Sequence, residues 1–235
     1  MKKVLYVTGI CQLCIQKSSF VKKSWNFISA GWPLWAICTI LVGVRKGINL
    51  MEKKSLFSTK TMVATALGAA LFFVLFAYVK IPSPIPETNF QLAYGVSAFF
   101  GCLFGPVAGC LIAGIGHTLN DFIFYGSPWW SWVVASAISG LIAGLAFYYT
   151  KLEEGEFNKK TILTIIVINV IGNAVAWMLV APCLDILIYA EPAKKVFLQG
   201  VTSFIADGVS SIVVCLLLAA AYSKTRTKTG SLDQE

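Results

Sequence analysis

The residues best suited to chemistry in this 235-residue chain are a few polar side chains set within long apolar stretches. His117, Asn120 and Asp121 are spaced i, i+3, i+4, which puts them on one face of a helix. Asn169, Asn173 and Trp177 recur at four-residue steps, and Ser203, Asp207 and Ser210 or Ser211 form a third stripe. Together they supply hydrogen-bond acceptors, while Trp129, Trp130 and Trp132 supply aromatic faces. No Lys or Arg lies in these stretches, so the set suits a neutral or cationic ligand with a flat ring better than an anion.

Two other chemistries are open to the same groups. His117, Asp121 and Asp207 could serve an intramembrane enzyme as a metal or acid/base site, but no H-E-x-x-H or G-x-S-x-G motif accompanies them. Asp207 could be the titrating group of a proton- or ion-coupled carrier acting alone, but the chain lacks an evident two-half repeat. Each stripe also has a purely structural reading. The tryptophans fit an interfacial belt, the asparagines fit polar contacts between helices, and His117 fits a partner of Asp121 or Asp207. Asp207 is the hardest to explain that way, because it lies about ten residues, or about 15 Å, inside its apolar span, where a carboxylate requires a partner or a water-filled cavity.

The elements that must position these groups follow from composition. Hydrophobic residues make up 57% of the chain and charged residues 13%, with a mean hydropathy of +0.75, whereas a soluble domain carries about 25% charged residues. The apolar blocks are continuous and not alternating, which excludes a β-barrel and indicates an all-α integral membrane protein. The net charge of +8 is held in clusters flanking apolar runs, a membrane-orientation pattern and not a nucleic-acid stripe. Five of the seven cysteines, Cys38, Cys102, Cys110, Cys183 and Cys215, fall in apolar runs as small hydrophobes. Cys11 and Cys14 are a lone C-x-x-C pair without further zinc ligands, so no metal site is expected.

Six spans are expected: Met62 to Val79, Phe90 to Phe104, Val107 to Phe124, Trp129 to Tyr149, Thr161 to about Leu187, and Phe197 to Tyr222. Gly105-Pro106 hinges the second and third, and the run Ile81-Pro82-Ser83-Pro84-Ile85-Pro86 makes an extended loop after the first. Lys53, Lys54, Lys60, Lys151, Lys159, Lys160, Lys224, Arg226 and Lys228 lie on the side of the termini, against Lys80, Lys194 and Lys195 on the other. This asymmetry expects both termini in the cytoplasm of a six-helix bundle in the cell membrane. Residues 1–50 stand apart as an extension whose apolar stretch, Ser24 to Val44, has basic residues at both ends, and residues 51–235 form the membrane domain.

From Thr59 to Tyr222 the chain resembles the S component, the substrate-binding membrane subunit, of an energy-coupling factor vitamin transporter. The resemblance rests on six spans and on the A-x-x-x-A face of Ala66 and Ala70 in the first of them. Three strings narrow it to a subfamily labelled riboflavin-type: Ile81 to Pro86, Gly114-Ile115-Gly116-His117, and Phe124-Tyr125-Gly126-Ser127-Pro128-Trp129-Trp130-Ser131-Trp132. It implies high-affinity capture of a vitamin outside the cell, closure of the Pro-rich loop, and toppling of the subunit in the bilayer. It also implies three partner chains, a transmembrane coupling protein touched by Ala66 and Ala70 and two ATPase subunits. ATP would be used by those partners. This chain has no G-x-x-x-x-G-K-[ST] loop, and neither a cofactor nor enzymatic activity of its own is expected. Asn89, His117, Asn120, Asp121, Trp130, Asn173, Trp177 and Asp207 are the expected ligand contacts, with riboflavin or another flat heterocyclic vitamin or precursor as ligand.

Overall fold

The computed structural model describes residues 58–82, 85 and 88–226. The expected extension at 1–50, the Cys11 and Cys14 pair and most of the Pro-rich loop lie outside these residues. Chain order is α1 (Thr59–Tyr78), β1 (Lys80–Pro82), β2 (Asn89–Gln91), α2 (Ala93–Phe104), α3 (Pro106–Tyr125), α4 (Trp130–Ala143), α5 (Ala146–Tyr149), a 3-10 turn (Leu152–Glu154), α6 (Lys159–Asn173), a π-helical stretch (Ala174–Val180), α7 (Ala181–Tyr189) and α8 (Ala193–Thr225).

Local chemistry sets the boundaries. Ser58 caps α1 by accepting the Thr61 amide at 3.1 Å, and Asn158 caps α6 by accepting the Thr161 amide at 2.9 Å. Between α2 and α3 the chain reverses at Gly105, whose φ of 99° favours glycine, and Pro106 then opens α3, where its missing N–H costs nothing. The π-helical stretch precedes Pro182, which cannot donate to a carbonyl one turn back, and the wider turns absorb that defect without ending the rod.

Among the described residues, five helical segments are long and apolar enough to cross a membrane: Thr59–Tyr78, Pro106–Tyr125, Trp130–Tyr149, Lys159–Tyr189 and Ala193–Thr225. The chain is therefore an all-α, multi-pass membrane protein. The expected second span differs from the sequence reading. Phe90 lies in β2, and α2 has 12 residues, about 18 Å of helix against a hydrocarbon core of about 30 Å. The apolar run there is divided because residues 89–91 pair antiparallel with β1, in the register Lys80 with Gln91, Ile81 with Phe90 and Pro82 with Asn89.

The core has two parts. Around Phe72, Phe76, Tyr94, Ile112 and Trp177, aromatic rings fill the half of the bundle next to the hairpin. The other half is packed with Ala98, Cys102, Ala143, Ile165, Cys215 and Ala219, where two of the expected cysteines are fully buried among small residues. There α3 and α4 cross so closely that a Cβ on Gly109 or on Gly140 would strike the carbonyl of the other residue.

Candidate functional site

At the hairpin end, the ends of α1, α2, α3, α4, α7 and α8 surround a cavity of about 450 Å³. Phe76, Tyr94, Trp129 and Trp132 supply its aromatic faces, Asp121 and Asp207 its deep carboxylates, and Lys80, Glu191 and Lys195 lie on its lining from β1, the α7–α8 turn and the start of α8. Lys195 Nζ pairs with Glu191 Oε2 at 3.1 Å.

The α3 stripe faces this cavity through His117, Asn120 and Asp121, all of them buried. His117 Nε2 is 3.5 Å from Asp121 Oδ1, its Nδ1 is 2.7 Å from Ser136 Oγ, and its ring packs on Phe76 at 4.5 Å between centroids. Ser136 Oγ in turn lies 3.1 Å from the Tyr94 hydroxyl, joining α2, α3 and α4. Asp121 accepts the Asn120 side-chain amide at 3.1 Å and, through its other oxygen, the Trp129 backbone amide at 3.0 Å. The turn after α3 is thereby tied to the stripe.

Asp207 holds the hairpin. Its Oδ1 accepts the Gln91 amide at 2.8 Å, while Ser210 Oγ donates to the Gln91 carbonyl at 2.6 Å. Both backbone groups of a strand residue are satisfied from one turn of α8, so β2 is docked on that helix with Asn89, its first residue, on the cavity lining. Because α8 begins at Ala193, four residues before the expected Phe197, Asp207 lies a turn deeper than the sequence reading puts it.

The remaining expected contacts are placed elsewhere. Asn173 and Trp177 are buried behind the cavity wall: Trp177 Nε1 donates to Asn173 Oδ1 at 3.0 Å, and its ring packs on Trp132 and on the edge of Tyr94, both of which line the cavity. Asn173 and Asn169 pass their side-chain amides to backbone carbonyls one turn back, and Ser211 donates to Asn169 Oδ1. That stripe is internally satisfied. Trp130 is half exposed and off the cavity lining, and its neighbours Trp129 and Trp132 take the lining positions.

Asp185 is the residue that sequence reasoning passes over. It is 1% exposed and accepts from Trp129 Nε1 and Trp132 Nε1, each at 2.7 Å, and from Ser131 Oγ. One carboxylate thus fixes both tryptophans of the wall to α7. The cost argument that singles out Asp207 applies equally to Asp185, an acid within an apolar span. Gln91 and Tyr94 gave no sequence signal, and nothing local sets Trp132 apart from Trp129 and Trp130, since each becomes part of the site only through tertiary packing. Among the described residues, no three His, Cys, Asp or Glu side chains gather as a metal cluster.

A family model described as "ECF-type riboflavin transporter, S component" matches residues 56–224. A "UPF0397 protein" of Streptococcus gordonii is 48% identical over 179 residues, covering 76% of this chain and 96% of its own length. Proteins of the same description from Clostridium perfringens and Lactiplantibacillus plantarum are 49% identical over 183 residues and 44% over 185. These cover 78% and 79% of this chain and 99% and 100% of their own lengths. No solved structure matches.

Proposed function

Because the chain belongs to the ECF-type riboflavin transporter S component family, we propose that it is the high-affinity substrate-binding subunit of an ATP-driven importer for riboflavin or another flat heterocyclic vitamin or precursor. The observation that carries this reading is the cavity of about 450 Å³, within the range of about 300–1,000 Å³ usual for small-molecule sites. Its mixture of aromatic faces and buried hydrogen-bonding groups suits a ring that stacks and is held by its edges. Asn89, His117, Asn120, Asp121 and Asp207 are the proposed edge contacts, and Trp132 and Tyr94 the proposed faces. Trp177 and Asn173 support those faces from behind.

In this reading α2 completes a six-helix bundle with both termini in the cytoplasm, as the lysine and arginine asymmetry favours, and the cavity opens to the outside. Energy comes from two partner ATPase subunits through a transmembrane coupling protein, and the chain uses no cofactor of its own. Ala66 and Ala70 are exposed on α1, whereas Gly68 and Ala69 turn inward, so the small-residue face is free to meet the coupling protein.

The test is mass spectrometry of small molecules that co-purify with the detergent-solubilised protein, followed by tryptophan-quenching titration with those compounds and with riboflavin. A tightly held flavin supports both the binding subunit and riboflavin as its ligand. A different heterocycle keeps the subunit and discards riboflavin, and no ligand with no quenching overturns the reading.

A further inference from the structure

Two of the groups on the cavity lining carry acceptors that no described residue uses. Asn120 is 2% exposed and Gln91 6% exposed, and Asn120 Oδ1 and Gln91 Oε1 are buried without a hydrogen-bond partner among the described residues. The orientation of Asn120 is not arbitrary. Its Nδ2 donates to Asp121 Oδ1 at 3.1 Å, and turning the amide over would set its oxygen against the carboxylate. Gln91 is held at the cavity by its backbone, which is bonded to Asp207 and Ser210 on both sides of the residue. Buried acceptors without partners are rare in folded proteins because each forfeits the hydrogen bond it had in water, and a site that keeps them is matched to a donor brought by something else.

Resting on the reading of the cavity as a small-molecule site, we infer that its ligand is a flat heterocycle bearing an exocyclic amino group, with that donor directed at Asn120 Oδ1 or Gln91 Oε1. The other deep groups agree in sign. Asp121 and Asp207 present further carboxylate oxygens, and hydroxyl groups such as Ser203 serve either as donors or as acceptors. Tyr94 and Trp132 provide the faces against which the ring lies. A ring edged by carbonyl oxygens would set acceptor against acceptor at Asn120, whose amide is held in place by Asp121.

The experiment is tryptophan-quenching titration of the full chain in detergent with two matched pairs, adenine against hypoxanthine and 4-aminoquinazoline against 4-quinazolinone, and with riboflavin. Each pair exchanges an exocyclic donor for an acceptor on one ring frame. The amino member is expected to bind about tenfold more tightly, the worth of one well-made hydrogen bond. Gln91→Met, which removes the acceptor and leaves the backbone bonds, is expected to shrink that ratio, and Gln91→Glu to enlarge it. Equal binding within both pairs, tighter binding of the oxo members, or quenching by riboflavin alone overturns the inference and leaves the binding subunit standing. Quenching by none of the five compounds overturns both.

Discussion

At the hairpin end of the bundle, helices are joined by side chains reaching around a cavity, whereas at the opposite end backbone meets backbone. Asp185 links α7 to α4, Asp121 links α3 to the following turn, and Asp207 links α8 to β2, each through hydrogen bonds to neutral donors. At the other end Gly109 and Gly140 bring α3 and α4 into direct contact, and Gly101 and Gly144 do the same for α2 and the end of α4. Small residues let dispersion act over a long seam without any polar group. The difference separates two kinds of packing: one end surrounds a cavity lined by polar groups, while the other packs α2, α3 and α4 backbone to backbone.

The sharpest way to break this division is to remove the anchor of the polar end. Asp185→Ala is expected to cost roughly 3–5 kcal/mol of stability, because the buried Ser131 hydroxyl and the part-buried Trp132 N–H both lose the carboxylate that accepts from them. Asp185→Asn, which keeps one acceptor oxygen, is expected to recover part of that loss. Thermal unfolding in detergent followed by tryptophan fluorescence reads both. If Asp185→Ala melts like the parent protein, the carboxylate does not hold the cavity wall.

Next in size is Gly140→Ala at the clamped end. The added methyl meets the Gly109 carbonyl, and since neither neighbour is a flexible side-chain tip, the helices must separate, at about 1–3 kcal/mol. Ligand affinity of the folded fraction is expected to remain within about twofold of the parent, well below the tenfold change that 1.4 kcal/mol would produce. A loss of affinity as large as the loss of stability would mean that the two ends act as one unit.

Asp207→Asn tests the polar end more gently. The asparagine retains an oxygen to accept the Gln91 amide, so the hairpin stays docked, but the second carboxyl oxygen on the cavity lining is replaced by an amide NH2. Affinity for the co-purified ligand is expected to fall about tenfold, or about 1.4 kcal/mol, with unchanged membrane insertion. Equal affinity would assign Asp207 wholly to holding β2.

How much of this was legible in the sequence depended on whether a residue's role is local or distant. The Gly105-Pro106 hinge and the long apolar spans are written in adjacent residues, and the structure has them at nearly the expected positions. The α3 stripe was also legible, because helix periodicity alone puts His117, Asn120 and Asp121 on one face. Which side of a helix meets a cavity is not local information. The α6 stripe has the same periodicity as the α3 stripe, yet Asn169 and Asn173 spend their amides on carbonyls one turn back and lie behind the wall. Strand β2 was hidden for the same reason: its partners on α8, Asp207 and Ser210, are more than a hundred residues away along the chain. The apolar residues around it read equally well as helix.

The smallest expected effect belongs to Trp130, and it bears on the same point. Three tryptophans within four residues look interchangeable, but helix geometry points them in different directions once α4 begins at Trp130. Trp129 stacks on Tyr189 at 4.3 Å and bonds to Asp185, Trp132 bonds to the other oxygen of Asp185 and packs on Trp177, and Trp130 contributes only its backbone amide, donated to the Tyr189 hydroxyl at 3.0 Å. Trp130→Phe keeps that backbone bond and an aromatic side chain at the rim, so stability and ligand affinity are expected to stay within about 0.5 kcal/mol of the parent. Trp132→Phe removes a part-buried donor from Asp185 and is expected to weaken binding measurably. Titration of the two variants with one ligand distinguishes a wall built from specific rings from an aromatic belt, in which either substitution would matter equally.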